Sequence, residues 1–418
     1  MNRRSLPILV ASFVASLCCL GNYAAQAQQQ TALTSEDSLH RRLSLGPSTI
    51  IGGYGEAAYQ RDVDQGVSHL NLVRTVLFVG HQFNDQIAFF SELELEDAKV
   101  EGGDEGGEVA MEQAYLKFSS KRHPQNYWVA GLFIPRIGLL NEDHLPVNYN
   151  GVERPLVEQL VIPATWRELG VGYYGSLSAW PLQYTVALVN GLDAADFSHG
   201  TGIREGRFEG KDATANNLAV TASLRANTGN WQFQVSGYVG GTNGLNKRAS
   251  DSLGLAHGLF ALPMYLGEAD LQYRYAGFHA KALGAYIRFP DADAVNKAYA
   301  NNVASGMYGA YVELAYNLFA QALSERLQRQ QLNLFARYEW IDLNQRIPAN
   351  AIYDGTLRQS HLIVGVGYLP IPNVVIKADV RLQHTGPQNP DLIVNPNPAE
   401  PPYQQNNSFL NLGIGYSF

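Results

Sequence analysis

The chain has 418 residues, a formal charge of −8, 46% hydrophobic and 11% aromatic content, and only two cysteines. No run of about 20 apolar residues follows its N-terminal stretch, which excludes membrane-crossing helices, and the acidic balance argues against nucleic acid as a partner. A mean hydropathy of −0.16 with 23 Tyr, 17 Phe and 40 Gly fits a sheet whose lipid-facing side is averaged with a watery one.

The first 27 residues read as a secretory leader. Arg3 and Arg4 supply the positive start, Leu6 to Leu20 the apolar stretch, and Ala25-Gln26-Ala27 the small-x-small cleavage site. Cys18 and Cys19 both fall inside it, and neither follows the small residue a lipoprotein signal needs. The exported chain therefore has no disulfide and no thiolate site. Removing Arg3 and Arg4 leaves 28 basic residues against 38 acidic, a net charge of −10. Residues 28–47, rich in Gln, Ser and charge, read as a periplasmic lead-in.

From residue 48 to 418 the pattern predicts an all-β fold, a transmembrane antiparallel β-barrel of about 16 strands. The predicted segments are 49–60, 68–80, 85–96, 108–119, 126–134, 166–177, 181–190, 216–226, 230–240, 265–275, 277–289, 305–318, 330–342, 356–369, 373–384 and 407–418. In 85–96, Ile87, Phe89, Leu93 and Leu95 alternate with Glu92, Glu94 and Glu96. In 330–342, Leu332, Leu334, Ala336, Tyr338 and Trp340 alternate with Asn333, Arg337 and Glu339. In 373–384, Val374, Ile376, Ala378, Val380 and Leu382 alternate with Lys377, Asp379 and Arg381. Charges at every second position are expected of a wall facing a water-filled lumen. The last segment, SFLNLGIGYSF, sets Leu410, Leu412, Ile414, Tyr416 and Phe418 outward, and its terminal aromatic suits recognition by the barrel-assembly machinery.

The connections alternate in length. Tight turns such as Phe83-Asn84-Asp85, His123-Pro124, Ala179-Trp180-Pro181, Thr228-Gly229-Asn230 and Pro370-Ile371-Pro372 follow most even-numbered strands, and long polar loops follow most odd-numbered ones. Short periplasmic turns and long outer loops distinguish an outer-membrane barrel from a sandwich. A long, helix-like link at 319–329 breaks the rule without a physical account.

The third long loop, 134–165, is the candidate constriction. It carries Arg136, Glu142, Asp143, His144, Glu153, Arg154 and Glu158, with Arg167 just beyond. Charges of both signs across a narrow gap would filter solutes by charge and dipole. Leu145, Val147, Leu156, Leu160, Val161 and Ile162 give the loop a reason to pack on the inner wall. The alternative is an outer loop whose charges face water.

Other constellations carry less. The acidic glycine-rich stretch Glu101–Glu108 lacks the ligand spacing of a calcium loop, and the histidines occur singly, so no metal site and no cofactor are expected. Ser360 and His361 are adjacent and so point to opposite faces, and no Gly-x-Ser-x-Gly occurs; an enzyme is not expected. Tyrosines including Tyr54, Tyr115, Tyr238, Tyr338 and Tyr416 are read mostly as interfacial girdles.

Gly131-Leu-Phe-Ile-Pro-Arg-Ile-Gly138, Glu153-Arg154, the run Trp166–Gly175 and Asn190-Gly191 together resemble the phosphate-selective porin O and P family, best over about 110–245. The resemblance implies a sixteen-stranded barrel forming homotrimers among the lipid and lipopolysaccharide of the bacterial outer membrane. Ile134 stands where the family's motif often has a lysine, and Glu142, Asp143, Glu153 and Glu158 outnumber Arg136 and Arg154. The fold and pore activity are therefore carried over and phosphate selectivity is not. The expected function is a porin for passive diffusion of small hydrophilic solutes or ions, with a weak preference for cations or neutral solutes. The alternatives are a phosphate or anion channel of the same fold, a structural or adhesive barrel and, weakest, an outer-membrane enzyme.

Overall fold

The computed structural model describes residues 48–96, 108–123, 125–177, 180–393 and 403–418. The leader, the lead-in, most of the acidic stretch 101–108, Pro124 and Ala179 lie outside the described residues. Sixteen strands run in chain order: β1 Thr49–Asp62, β2 Ser68–Asn84, β3 Ile87–Glu96, β4 Glu108–Ser119, β5 Tyr127–Phe133, β6 Glu168–Leu177, β7 Leu182–Asn190 and β8 Leu218–Thr228. They continue with β9 Trp231–Gly240, β10 Met264–Tyr275, β11 Phe278–Arg288, β12 Gly306–Asn317, β13 Gln331–Arg346, β14 Arg358–Ile371, β15 Val374–Thr385 and β16 Asn406–Ser417. Each strand pairs antiparallel with its sequence neighbours, and β16 returns to β1 to close the ring. Closure satisfies every strand's ladder within the protein, the condition for a sheet to sit in lipid.

Strict alternation sorts the side chains. On β16, Leu410, Leu412, Ile414 and Tyr416 are exposed outward, while Phe409, Asn411, Gly413 and Gly415 are buried inside. On β15, Ile376, Val380 and Leu382 face out and Lys377, Asp379 and Arg381 face in. The same sorting puts Tyr338 and Trp340 outside and Arg337 and Glu339 inside on β13. The girdle expectation needs correcting at three tyrosines. Tyr54, Tyr115 and Tyr238 are buried inside the ring, and Tyr54 donates to Glu112 at 3.0 Å.

Turns at one rim are as short as two residues. At Ala276-Gly277 both residues adopt positive φ (48° and 89°), the twist that joins two antiparallel strands most tightly. The 318–330 link is the exception at this rim. It holds a single helical turn, α4 (Glu325–Gln328), and stands in solvent, with Leu323 fully exposed.

At the other rim the long loops fold over one another. The loop after β5 contains the turn α1 (Val157–Leu160), and later loops contain α2 (Lys247–Leu253) and α3 (Ala292–Tyr299). Ile137, Val161, Ile162 and Trp166 from the first join Leu192, Phe197, Ile203, Phe289 and Val295 in one apolar cluster. Phe197 meets Phe289 edge-on at 5.4 Å between ring centroids. The protein's hydrophobic core thus lies at the loop end and inside the ring, not between sheets.

Candidate pore-lining site

The segment between β5 and β6 crosses the lumen. Beyond the hydrogen bonds of its own turns, its backbone is bonded to the inner wall, which satisfies groups the turns leave over. Val152 N–H donates to Asp379 Oδ2 on β15 at 2.6 Å, and Val157 N–H to Glu339 Oε2 on β13 at 3.1 Å. The carbonyl of Asn150 accepts from Arg337 Nη1 at 3.0 Å, and that of Gly138 from Gln234 Nε2 on β9 at 2.9 Å. Tyr149 Oη donates to Glu56 Oε2 on β1 at 2.6 Å, and Asn150 Nδ2 to Glu313 Oε1 on β12 at 2.9 Å.

Glycines on the inner wall let the loop lie close. A Cβ at Gly309 on β12 would stand 2.8 Å from Val157 Cγ1 and 2.9 Å from Val161 Cγ2. One at Gly415 on β16 would stand 2.5 Å from Pro146 Cβ, and one at Gly413 2.9 Å from Val152 Cγ1. Such separations are closer than two carbon atoms tolerate. The small inner residues of SFLNLGIGYSF are therefore the seat of the loop.

Glu158 holds the loop's base. Its Oε2 accepts from Leu139 N–H at 2.8 Å and Leu140 N–H at 2.7 Å, and its Oε1 from Tyr311 Oη at 2.7 Å. Glu158 is fully buried, so it lines no passage, and the expectation that it faces the gap is corrected. Burial pushes its carboxyl up to about 7 against the pull of those donors.

The charges meet as pairs, not across an open gap. Glu142 Oε2 accepts from Arg136 Nε at 2.6 Å and from Arg225 Nη2, on β8, at 3.3 Å. Burial works against it, but those guanidinium groups hold the Glu142 carboxyl below its ordinary value. Glu153 binds Arg381 on β15 and accepts from Gln60 at 2.8 Å. Arg337 bridges Glu313 (3.2 Å) and Glu339 (2.8 Å). Arg74 bridges Glu56 (2.8 Å) and Glu94 (3.1 Å), with Glu96 at 3.9 Å. Arg167 reaches Glu209 at 2.7 Å and Glu94 at 3.7 Å. Lys377 lies over the Tyr149 ring, 3.6 Å from its centroid, and Gln113 donates to Glu92 at 3.0 Å. A count of acidic residues along the loop therefore overstates the negative charge it presents to a solute.

Two polar chambers border the loop. The larger, about 700 Å³, opens toward the short-turn rim and is lined by Asp143, Tyr149, Arg225, Arg274, His279 and Lys377 among others. Asp143 accepts there from Asn148 Nδ2 at 2.6 Å. The smaller, about 240 Å³, lies on the long-loop side among Arg74, Arg154, Arg167, Arg204 and Arg207, facing Glu94, Glu96, Glu205 and Glu209. Among the described residues Arg154 Nη2 meets the carbonyl of His144, at 3.4 Å, while its Nε and that of Arg167 are buried with no hydrogen-bond partner there.

Sequence reading missed Glu56, Arg74, Glu112, Arg225 and Glu313. Arg225 and Glu313 were legible, since a lone charge between two apolar neighbours in a strand must point inward. Glu112 was not, because β4 is bulged there: Glu92 pairs with Gln113 and Leu93 with Met111, skipping Glu112. The bulge turns both Glu112 and Gln113 into the lumen.

The fold is that of outer-membrane porins. OprB of Pseudomonas putida superposes with a TM-score of 0.53 at 10% identity, covering 92% of this chain and 97% of its own. The outer-membrane channel DcaP of Acinetobacter baumannii gives 0.52 at 13%, covering 88% and 97%. OmpF of Salmonella typhi, solved in complex with daunomycin, gives 0.51 at 12%, with the same coverage. No protein-family model matches the chain. An uncharacterized protein of Aquifex aeolicus (strain VF5) is 30% identical over 342 residues, 79% of this chain and 74% of that protein. The chain belongs to the same family as that Aquifex protein.

Proposed function

We propose that the chain is an outer-membrane porin, a water-filled channel through which small hydrophilic solutes or ions cross passively, with residues 134–165 as its constriction. One observation carries the reading: the loop is hydrogen-bonded to the inner faces of β1, β9, β12, β13 and β15, between two polar chambers. Paired charges at such a point replace water's hydrogen bonds for a passing solute while leaving little net field. A leader over 1–27 and an exposed apolar outer face accord with an outer-membrane site, in contact with lipid and lipopolysaccharide and assembled through its last strand. A homotrimer is proposed with it, as is kinship with the phosphate-selective porin O and P family at Gly131–Gly138. The reading assigns no catalysis.

A second reading, a channel preferring anions such as phosphate, is favoured by the partnerless Nε groups of Arg154 and Arg167 in the outer chamber. Reversal potential in a planar bilayer under a salt gradient, with phosphate added afterwards, separates the two. Weak selectivity without phosphate block supports the general porin, and anion selectivity with block supports the second. Deleting Glu142 to Glu158 should raise single-channel conductance; an unchanged value would sink the constriction.

A further inference from the structure

His144 lies in the crossing loop, yet its ring faces two carboxylates from adjacent strands. Nδ1 is 2.8 Å from the carbonyl oxygen of Asn141. A carbonyl only accepts, so Nδ1 carries the proton, and a neutral ring then has its lone pair on Nε2. That atom stands 3.6 Å from Glu112 Oε1. The separation is too long for a hydrogen bond and close to the ~3.4 Å between neighbouring ligand atoms around a tetrahedral zinc ion. Glu112 is fully buried, and among the described residues its Oε1 has no hydrogen-bond partner. One ligand atom each from Glu92, Glu112 and His144 lies within 4.8 Å of the other two.

The second layer also fits. Tyr54 donates to Glu112 Oε2 at 3.0 Å and Gln113 to Glu92 Oε2 at 3.0 Å, while Asn141 fixes the imidazole. Outer partners of this kind orient ligands around a metal. Arg74 and Arg154 lie within electrostatic range of Glu112, and Arg74 is itself neutralised by Glu56 and Glu94.

We propose that Glu92, Glu112 and His144 bind a zinc-class divalent cation, which ties the crossing loop to β3 and β4. An imidazole with two carboxylates suits zinc, whereas calcium and magnesium favour all-oxygen sets. The bulge that turns Glu112 and Gln113 inward together thereby supplies one ligand and the donor that orients another.

The test uses the full refolded chain and Zn²⁺ as the probe, with bound metal measured after dialysis against a weak chelator. One Zn²⁺ per chain is expected, undisplaced by excess Mg²⁺, with affinity lowered more than about tenfold in both His144→Gln and Glu112→Gln. No retained zinc, or unchanged affinity in both variants, overturns the proposal. Heat-modifiable electrophoretic mobility shows whether each variant has folded. Should either fail, zinc-edge X-ray absorption on the wild-type protein decides: one imidazole among oxygen ligands supports the site, and any other first shell overturns it.

Discussion

Glu158 makes the loop's attachment sensitive to pH. Its carboxyl is raised by burial to about 7 from the ordinary 4.5, and Glu268 is the nearby like charge that adds to the rise. The folded protein therefore holds that proton more tightly than the unfolded chain does. The stabilising effect is fully present below the ordinary value and is lost as pH rises through the folded one. Conductance should change between about pH 5 and about pH 8 as the loop loosens. In Glu158→Gln, which mimics the neutral acid, the trace should be flat; an equal pH response in the variant would assign the effect elsewhere. At Glu142 the consequence is electrostatic. Glu142→Gln leaves Arg136 and Arg225 facing each other without their carboxylate, so the zero-current potential should move toward anion selectivity. Gly309→Val tests the seat itself, because the new methyls would overlap Val157 and Val161. Overpacking of that kind costs about 1–3 kcal/mol, and the temperature of heat-induced mobility change should fall; no change would mean the loop is not held there. Period-two reading placed Arg337, Glu339, Lys377, Asp379 and Arg381 on the inner wall from sequence alone. The girdle reading, made from position near strand ends, failed at Tyr54, Tyr115 and Tyr238, because tyrosine suits a girdle and a lumen equally and nearness to a strand end does not choose between them.

Among the elements, the strands were the most legible part of the chain. A wall between lipid and water repeats its contrast every second residue, and all sixteen predicted segments overlap observed strands, with ends displaced by a few residues. The course of the third loop could be anticipated from its apolar residues, but its hydrogen-bond partners could not. Glu313, Glu339 and Asp379 lie more than 150 residues from the groups they meet, and no local pattern encodes such pairings. The 318–330 link was legible in length and only partly in kind, since a helical reading of the stretch corresponds to one turn. The last strand makes its own prediction. Phe418 exchanges backbone hydrogen bonds with Gly53 at 2.9 and 3.2 Å, at the join between β16 and β1. Removing Tyr416 to Phe418 takes away that end of the pairing, and the yield of heat-modifiable barrel should drop sharply while synthesis is unaffected. Full yield would show that the ring closes without it.

For the molecule as a whole, the organisation is inverted relative to a water-soluble protein. Apolar residues such as Ile376, Val380 and Ile414 are exposed outward, while Glu94, Glu339, Arg337 and Asp379 are almost fully buried inside. Buried ion pairs of this sort stabilise little by themselves, but losing one partner costs about 3–5 kcal/mol, so single substitutions in the network should weaken the barrel more than their distance from any element's end suggests.

The return of β16 to β1 also means that the finished ring has no intrinsic beginning. The same sixteen pairings would form if residue 418 were joined to residue 48 by a short linker and the chain were reopened within 318–330. That circular permutant would end on β12, and Asn317 would stand near where insertion into the membrane now finishes. Its resistance to heat should match the parent's, because no pairing is lost. Its assembly in cells should fail unless β12 can serve as a terminal strand, which separates what the sheet needs to be stable from what the cell needs to build it.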